Sequence, residues 1–154
     1  MLADDVYREQ LSVAITALEQ WVVETRDVAS IEVANTDSYW RMIVAPHAQR
    51  CCPIEILFDQ NQRFSLALGT EIYENRPVDR FDFFPMLARA VREGRVERIE
   101  TRNAMTDALE TIEMRVLLED GWAWVGERRI GARAPRKIET QGIARVERYL
   151  PYRR

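Results

Sequence analysis

Apolar side chains recur every three or four residues near the start of the chain, the spacing of a helix with one buried face. This stripe consists of Tyr7, Leu11, Ala14, Ile15, Leu18 and Val22. Asp4 or Asp5 can cap its N-terminus, because short polar side chains accept hydrogen bonds from the first backbone N–H groups of a helix. We therefore predict a first helix that runs to about Arg26 or Asp27.

A two-residue alternation replaces the helical spacing after residue 30. Residues 30–34 and 38–45 are rich in β-branched and aromatic side chains, and residues 54–58 and 64–68 each place apolar side chains on one face. Residues 59–63 can turn the chain back between the last two segments. The pattern predicts four short strands, of which the last two form a hairpin.

A second helical stripe follows the strands. Its apolar positions are Phe84, Leu87, Ala88 and Val91. Asp82 is the candidate N-cap, and Gly94 is well placed to end the helix because glycine tolerates the left-handed conformation found there. The spacing predicts a short helix between these two residues.

Alternation returns in the last third of the chain. Residues 96–103 form a candidate strand, and residues 112–128 form a candidate hairpin around the strong turn signal Asp120-Gly121. Residues 143–150 could form a short helix or a strand. Beyond residue 129 few residues are typical of a core.

The order of elements predicts an α+β fold. We expect a mostly antiparallel sheet of about six or seven strands with the two main helices packed on one face. Residues 1–129 would form one domain, and residues 130–154 a basic C-terminal extension that could dock on it. This order is similar to that of the small acidic chaperones of bacterial secretion systems and of other small α+β binding modules. The resemblance is one of element order and implies no residue roles.

Composition excludes several classes of protein. The chain has 154 residues, of which 47% are hydrophobic, and no stretch approaches the roughly 20 apolar residues of a membrane helix. The acidic N-terminus lacks a basic leader, which disfavours a secretory signal. Cys51 and Cys52 are adjacent, and neighbouring cysteines rarely form a disulfide because the ring is strained. We therefore expect a cytoplasmic protein without a membrane partner.

Charge is distributed unevenly along the chain. Residues 1–94 contain 9 basic and 15 acidic residues, whereas Arg128–Arg154 contains 9 basic and 2 acidic residues. The candidate anion-binding residues are Arg128, Arg129, Arg133, Arg136 and Lys137. Arginine binds phosphate well, but the acidic body and the lack of a known motif disfavour nucleic acid. Docking on the protein's own acidic surface or on an acidic partner is the alternative.

Few residues offer catalytic or metal chemistry. The chain lacks the glycine-rich phosphate loops and the nucleophile-elbow motif. His47, the only histidine, could form a nucleophile pair or a mixed metal site with Cys51 and Cys52, but a loop histidine beside two buried thiols explains the same pattern. We predict no catalytic residue, no metal and no cofactor, and the protein is more typical of a binding domain than of an enzyme.

Aromatic side chains are the strongest candidates for binding. Tyr39, Trp40, Trp122 and Trp124 lie on predicted strands and could line a ligand pocket, although packing within the core is the competing interpretation. Asp79 and Asp82 could likewise place acid groups at the mouth of an apolar pocket. Helix capping by Asp82 is the simpler reading.

Three functions remain compatible with these patterns. The first is a non-catalytic binding or protein-interaction domain that forms a homodimer and could bind a protein partner. The second is a small-molecule pocket, or an enzyme, that uses the strand aromatics with a carboxylate or His47. The third is an anion or nucleic-acid binder that acts through the arginine-rich C-terminal segment.

Overall fold

The computed structural model describes residues 1–130 and 142–154. In this part of the chain there are two helices and nine strands. In chain order they are α1 (Asp4–Thr25), β1 (Ala29–Asn35), β2 (Tyr39–Pro46), β3 (Ile54–Asp59), β4 (Arg63–Leu68), β5 (Glu71–Pro77), α2 (Phe83–Arg92), β6 (Val96–Arg102), β7 (Leu109–Leu117), β8 (Ala123–Arg129) and β9 (Ile143–Arg148). The α+β class is confirmed. Neither helix in these residues combines the length and apolar character needed to cross a membrane.

The first sheet is an antiparallel meander in the order β1-β2-β3-β4-β5. Trp40 pairs with Phe58, and Phe58 with Phe64, so large apolar side chains stack across the strands. Because side chains alternate between the two faces of a strand, one face of β2, β3 and β4 is buried and the other is partly open to solvent. The predicted alternation is confirmed on these three strands.

The second sheet has the order β8-β7-β6-β9, again with antiparallel pairs. Its β7–β8 hairpin turns at Asp120-Gly121, as the sequence predicts. Val96, Met114 and Val116 lie on its buried face. At the edge, β9 pairs with β6 while all six of its residues stay exposed.

The prediction of one sheet with both helices on a single face is wrong. The nine strands in residues 1–130 and 142–154 divide into sheets of five and four. Helix α2 contacts both of them: Phe84 packs edge-on against Phe58 of the first sheet at 4.6 Å, and Phe83 lies 6.1 Å from Trp124 of the second. Eight of the ten residues of α2 are buried and apolar, which is typical of a helix packed between layers.

Three side-chain contacts join β5 of the first sheet to β8 of the second. The Tyr73 hydroxyl donates to the Gly126 carbonyl at 3.2 Å, and Arg128 Nε lies 2.8 Å from a carboxylate oxygen of Glu71. The ring of Tyr73 also packs edge-on against Trp124 at 5.2 Å. A side chain at position 126 would meet the Tyr73 ring, so this close approach requires glycine.

The last residues of the described chain pack against two distant segments. The Leu150 and Tyr152 N–H groups donate to the Arg50 and Arg92 carbonyls, each at 2.8 Å. The Tyr152 hydroxyl reaches the Cys52 carbonyl at 2.5 Å and is buried with it. Tyr152 therefore belongs to the same core as the two sheets, and Leu150 packs against that core.

Candidate ligand-binding pocket

A pocket of about 280 Å³ lies where the loop between β5 and α2 meets the β7–β8 turn. Most of its wall is aromatic. It is lined by Phe64, Arg76, Pro77, Asp79, Arg80, Phe83, Phe84, Trp122 and Trp124. We call this set the aromatic pocket. Concave sites with mostly apolar walls and a few polar groups are typical of small-molecule binding.

Ring contacts fix the wall of the aromatic pocket. Phe83 packs against Phe84 at 5.1 Å and against Phe64 at 6.4 Å, which links the start of α2 to the first sheet. Trp124 reaches the same wall from β8 through its contact with Phe83. The rings meet in tilted and edge-on arrangements, which are the favourable geometries for aromatic pairs.

Arg80 ties the loop to the hairpin at the mouth of the pocket. Its guanidinium bonds to Asp82 at 2.7 Å and to Asp120 at 2.9 Å, and it lies over the ring of Trp122 at 5.8 Å. The Trp122 backbone N–H and then Arg80 lower the pKa of the Asp120 carboxyl. Asp82 takes the N-cap position as predicted, but its carboxylate accepts from Arg80 rather than from the first turn of α2.

Two other charged side chains at the mouth of the pocket, Arg76 and Asp79, form fewer contacts than Arg80. Arg76 is exposed, and its guanidinium lies over the Tyr73 ring at 5.8 Å. Asp79 is exposed as well. Within residues 1–130 and 142–154 neither of them forms an ion pair. The aromatic pocket thus has one positive and one negative group with no ion-pair partner in the described part of the chain.

The four predicted binding aromatics divide between two places. Trp122 and Trp124 line the aromatic pocket together. Tyr39 and Trp40 border another cleft, of about 580 Å³, beside the N-terminal part of α1. There Trp40 is only 3% exposed, and its indole Nε1–H has no partner among the residues that the structure describes. Tyr39 lies on the opposite, solvent-facing side of β2.

The predicted anion-binding residues lie partly outside the described chain. Arg128 is paired with the buried Glu71, and Arg129 lies 3.3 Å from Glu127. Arg133, Arg136 and Lys137 fall within residues 131–141, which the structure does not describe. Anion binding through this segment therefore stays a prediction.

His47 and the two cysteines are held by other partners. His47 Nε2 lies 3.4 Å from Ser30 Oγ, and the Cys51 thiol donates to the Pro151 carbonyl at 3.3 Å. Burial raises the pKa of the Cys52 thiol to about 12, which disfavours the nucleophilic thiolate. Across residues 1–130 and 142–154, the histidine, cysteine and carboxylate side chains form no cluster of three that could hold a metal ion.

Sequence reasoning missed Arg76, Arg80 and Phe83 as members of the site. The run from Asp79 to Phe84 was the available signal, since it mixes acids with aromatic residues at the start of a helix. Arg76 offers no such signal, because only the pairing of β5 with β4 places it opposite Phe64.

Comparison of the chain with protein-family models, with curated proteins and with solved structures finds no match. The aromatic pocket must therefore be interpreted from its own chemistry.

Proposed function

We propose that this protein is a binding domain whose ligand enters the aromatic pocket. The observation that carries the proposal is the position of Trp122 and Trp124 in one concavity with Phe83, beside two charged groups that form no ion pair among the described residues. Aromatic side chains supply large apolar area, and the charged groups at the mouth supply orientation.

Binding rather than catalysis is favoured by the state of the titratable groups around the pocket. Arg80, Asp82 and Asp120 are bonded to one another, so they act as a rigid wall. A general acid or base instead needs a pKa tuned by its environment and a free path to the substrate. Asp79 is exposed to solvent, so it lies outside the desolvated setting that is typical of a catalytic acid.

The test is a titration with indole, a neutral aromatic probe, followed by the indole N–H resonances of the four tryptophans. We expect the Trp122 and Trp124 signals to shift, while Trp21 and Trp40, which do not line the aromatic pocket, stay in place. Trp122→Ala removes one wall and should weaken the Kd, read from Trp124, by about tenfold, the value of one lost apolar contact of 1–2 kcal/mol.

Val125→Ala is the matched control, because Val125 is exposed and follows Trp124 on the opposite face of β8. It should leave the Kd unchanged. Equal shifts at all four tryptophans, or an unchanged Kd in Trp122→Ala, would contradict the proposal.

The compartment and the assembly state belong to the same proposal. Cys51 and Cys52 are both free and buried, which fits a reducing compartment such as the cytoplasm. The predicted homodimer is supported only by exposed apolar side chains such as Ile72 on the first sheet. Sedimentation velocity over a concentration series would test it, and a constant monomer mass would refute it.

A further inference from the structure

We infer that the ligand of the aromatic pocket is a small zwitterion, an α-amino acid with an aromatic or branched aliphatic side chain. The inference rests on the proposed function and adds the chemical class of the ligand. It is carried by the two unpaired charges of opposite sign at the mouth of a pocket with apolar walls.

Arg76 is the group that would bind the carboxylate. It lies on the edge strand β5, directly opposite Phe64 on β4, and Phe64 is part of the pocket wall. Its guanidinium already stacks over the Tyr73 ring, which limits its motion while leaving its N–H groups available. A planar guanidinium can hold a carboxylate through two parallel hydrogen bonds.

Arg80 is less suited to this part. Its Nε and Nη2 groups already donate to Asp82 and Asp120, and the bonds to these two carboxylates raise its pKa further. A ligand carboxylate that accepted two parallel hydrogen bonds from Arg80 would have to displace one of these anions, because every such pair of N–H groups includes Nε or Nη2. The two arginines of the pocket therefore have different roles: Arg80 holds the wall and Arg76 faces the ligand.

Asp79 is the group that would bind the ammonium. It lines the pocket from the loop that leads into α2 and has no cation paired with it in the described residues. A ligand with a carboxylate alone would meet its negative charge, and a ligand with an ammonium alone would meet the positive charge of Arg76. Only a ligand that carries both charges matches each of them, since like charges brought together oppose binding.

The size of the pocket limits the rest of the ligand. About 280 Å³ is slightly below the range of sites for drug-sized molecules. The rings of Phe64, Phe83 and Trp124 are part of its lining, so the part of the ligand that contacts them must be apolar. One amino-acid side chain meets both conditions, and its α-carbon would lie at the mouth between Arg76 and Asp79.

The experiment compares three ligands that share one side chain at neutral pH. L-Phenylalanine carries both charges, phenethylamine only the ammonium and 3-phenylpropionate only the carboxylate; L-leucine and its matched amine and acid form a second set. The Kd of each is read from the Trp122 and Trp124 indole N–H signals. We expect the amino acid of at least one set to bind about tenfold more tightly than either partner, the lower range for a charge-assisted hydrogen bond.

Two variants test which residue binds each charged group of the ligand. Arg76→Gln should abolish the preference for the amino acid over the amine, and Asp79→Asn should abolish its preference over the acid. Glu74→Gln is the control, because Glu74 is an exposed residue of β5 outside the pocket; it should change neither ratio.

The outcomes distinguish a failure of the zwitterion inference from a failure of the proposed function. If indole binds but the three ligands of each set bind equally, or a singly charged ligand binds best, the zwitterion inference is overturned and the proposed pocket stands. If no ligand and no indole shifts Trp122 or Trp124, the proposed function fails and the inference with it.

Discussion

The two sheets of this protein differ in what they bury. Along the centre of the first sheet, Met42, Ile56 and Leu66 are shielded from solvent, and their face is wholly apolar there. On the corresponding face of the second sheet, Arg98 and Glu100 form an ion pair, and this contact lowers the pKa of Glu100. A ligand pocket needs both properties, and the aromatic pocket lies where the two sheets meet.

The contact between the sheets explains how apolar and charged groups coexist at that place. On β5, Tyr73 and Glu71 belong to the inner face of the first sheet, yet their polar atoms are bonded to β8. A buried polar group is stable only when it is hydrogen-bonded, so these bonds fix the second sheet in position. We call the contacts between β5 and β8 the polar junction. The substitutions Phe58→Ala, Glu71→Gln and Tyr73→Phe test the difference between this junction and the apolar core of the first sheet.

The largest effect is expected in the first sheet. Phe58→Ala should lower the free energy of unfolding by about 3–5 kcal/mol, because Phe58 is buried and contacts Trp40 and Phe84. Ile72 lies on the open face of the same sheet, and Ile72→Ala should lower the free energy of unfolding by less than about 1 kcal/mol. Urea denaturation measures both. A cost for Phe58→Ala below that of Ile72→Ala would show that the first sheet is not the main core.

A smaller effect is expected at the polar junction. Glu71→Gln should cost about 1–2 kcal/mol, since Glu71 is 2% exposed and would lose its charge-assisted bonds to Arg128. Glu127→Gln removes an exposed pair with Arg129 and should cost less than about 0.5 kcal/mol. The same urea measurement applies, and equal costs would refute a special role for the junction.

At neutral pH, the smallest change in the free energy of unfolding is expected for Tyr73→Phe. The contribution of Tyr73 to stability also depends on pH. Tyr73→Phe removes the bond to Gly126 and should cost about 1 kcal/mol. Burial raises the pKa of Tyr73 to about 12 from its ordinary value of 10, so the folded state favours the neutral phenol. The stabilisation is complete below pH 10 and is lost as pH rises through 12.

Thermal melting as a function of pH tests whether the stabilisation by Tyr73 is lost as the pH rises. Between pH 10 and 12, stability should fall less steeply in Tyr73→Phe than in the parent protein. Tyr39→Phe, which removes the hydroxyl of an exposed tyrosine, is the control variant. Burial also raises the pKa of Tyr149 to about 12, so the slope should decrease in Tyr73→Phe without vanishing.

Local patterns in the sequence predict single elements well and their assembly poorly. The stripe of α1 and the Asp120-Gly121 turn depend on neighbouring residues, and the structure contains both. The sequence pattern of β9 fits a helix as well as a strand, because all of its residues are exposed and its pairing is with the distant strand β6. The division into two sheets depends on α2, whose second apolar side faces Trp124.

The candidate pocket was predictable to a similar extent. Two residues of one hairpin, Trp122 and Trp124, could be placed together because their spacing puts them on one face. Arg76 joins them only through the bulged pairing of β4 with β5 and the meeting of two sheets. Contacts between distant segments leave no periodic signal in the sequence, which is why Asp79 could be proposed from its neighbours whereas Arg76 could not.

The position of Tyr152 affects how this protein folds during its synthesis on the ribosome. Its hydroxyl bonds to Cys52, 100 residues earlier in the chain, and its backbone N–H bonds to Arg92. The part of the core that Tyr152 covers is therefore completed only after residue 152 has left the ribosomal exit tunnel. At about 5–20 residues per second, several seconds separate the synthesis of β5 from that of Tyr152. Apolar surface that stays uncovered during synthesis promotes aggregation, and the docking of Tyr152 removes part of that surface.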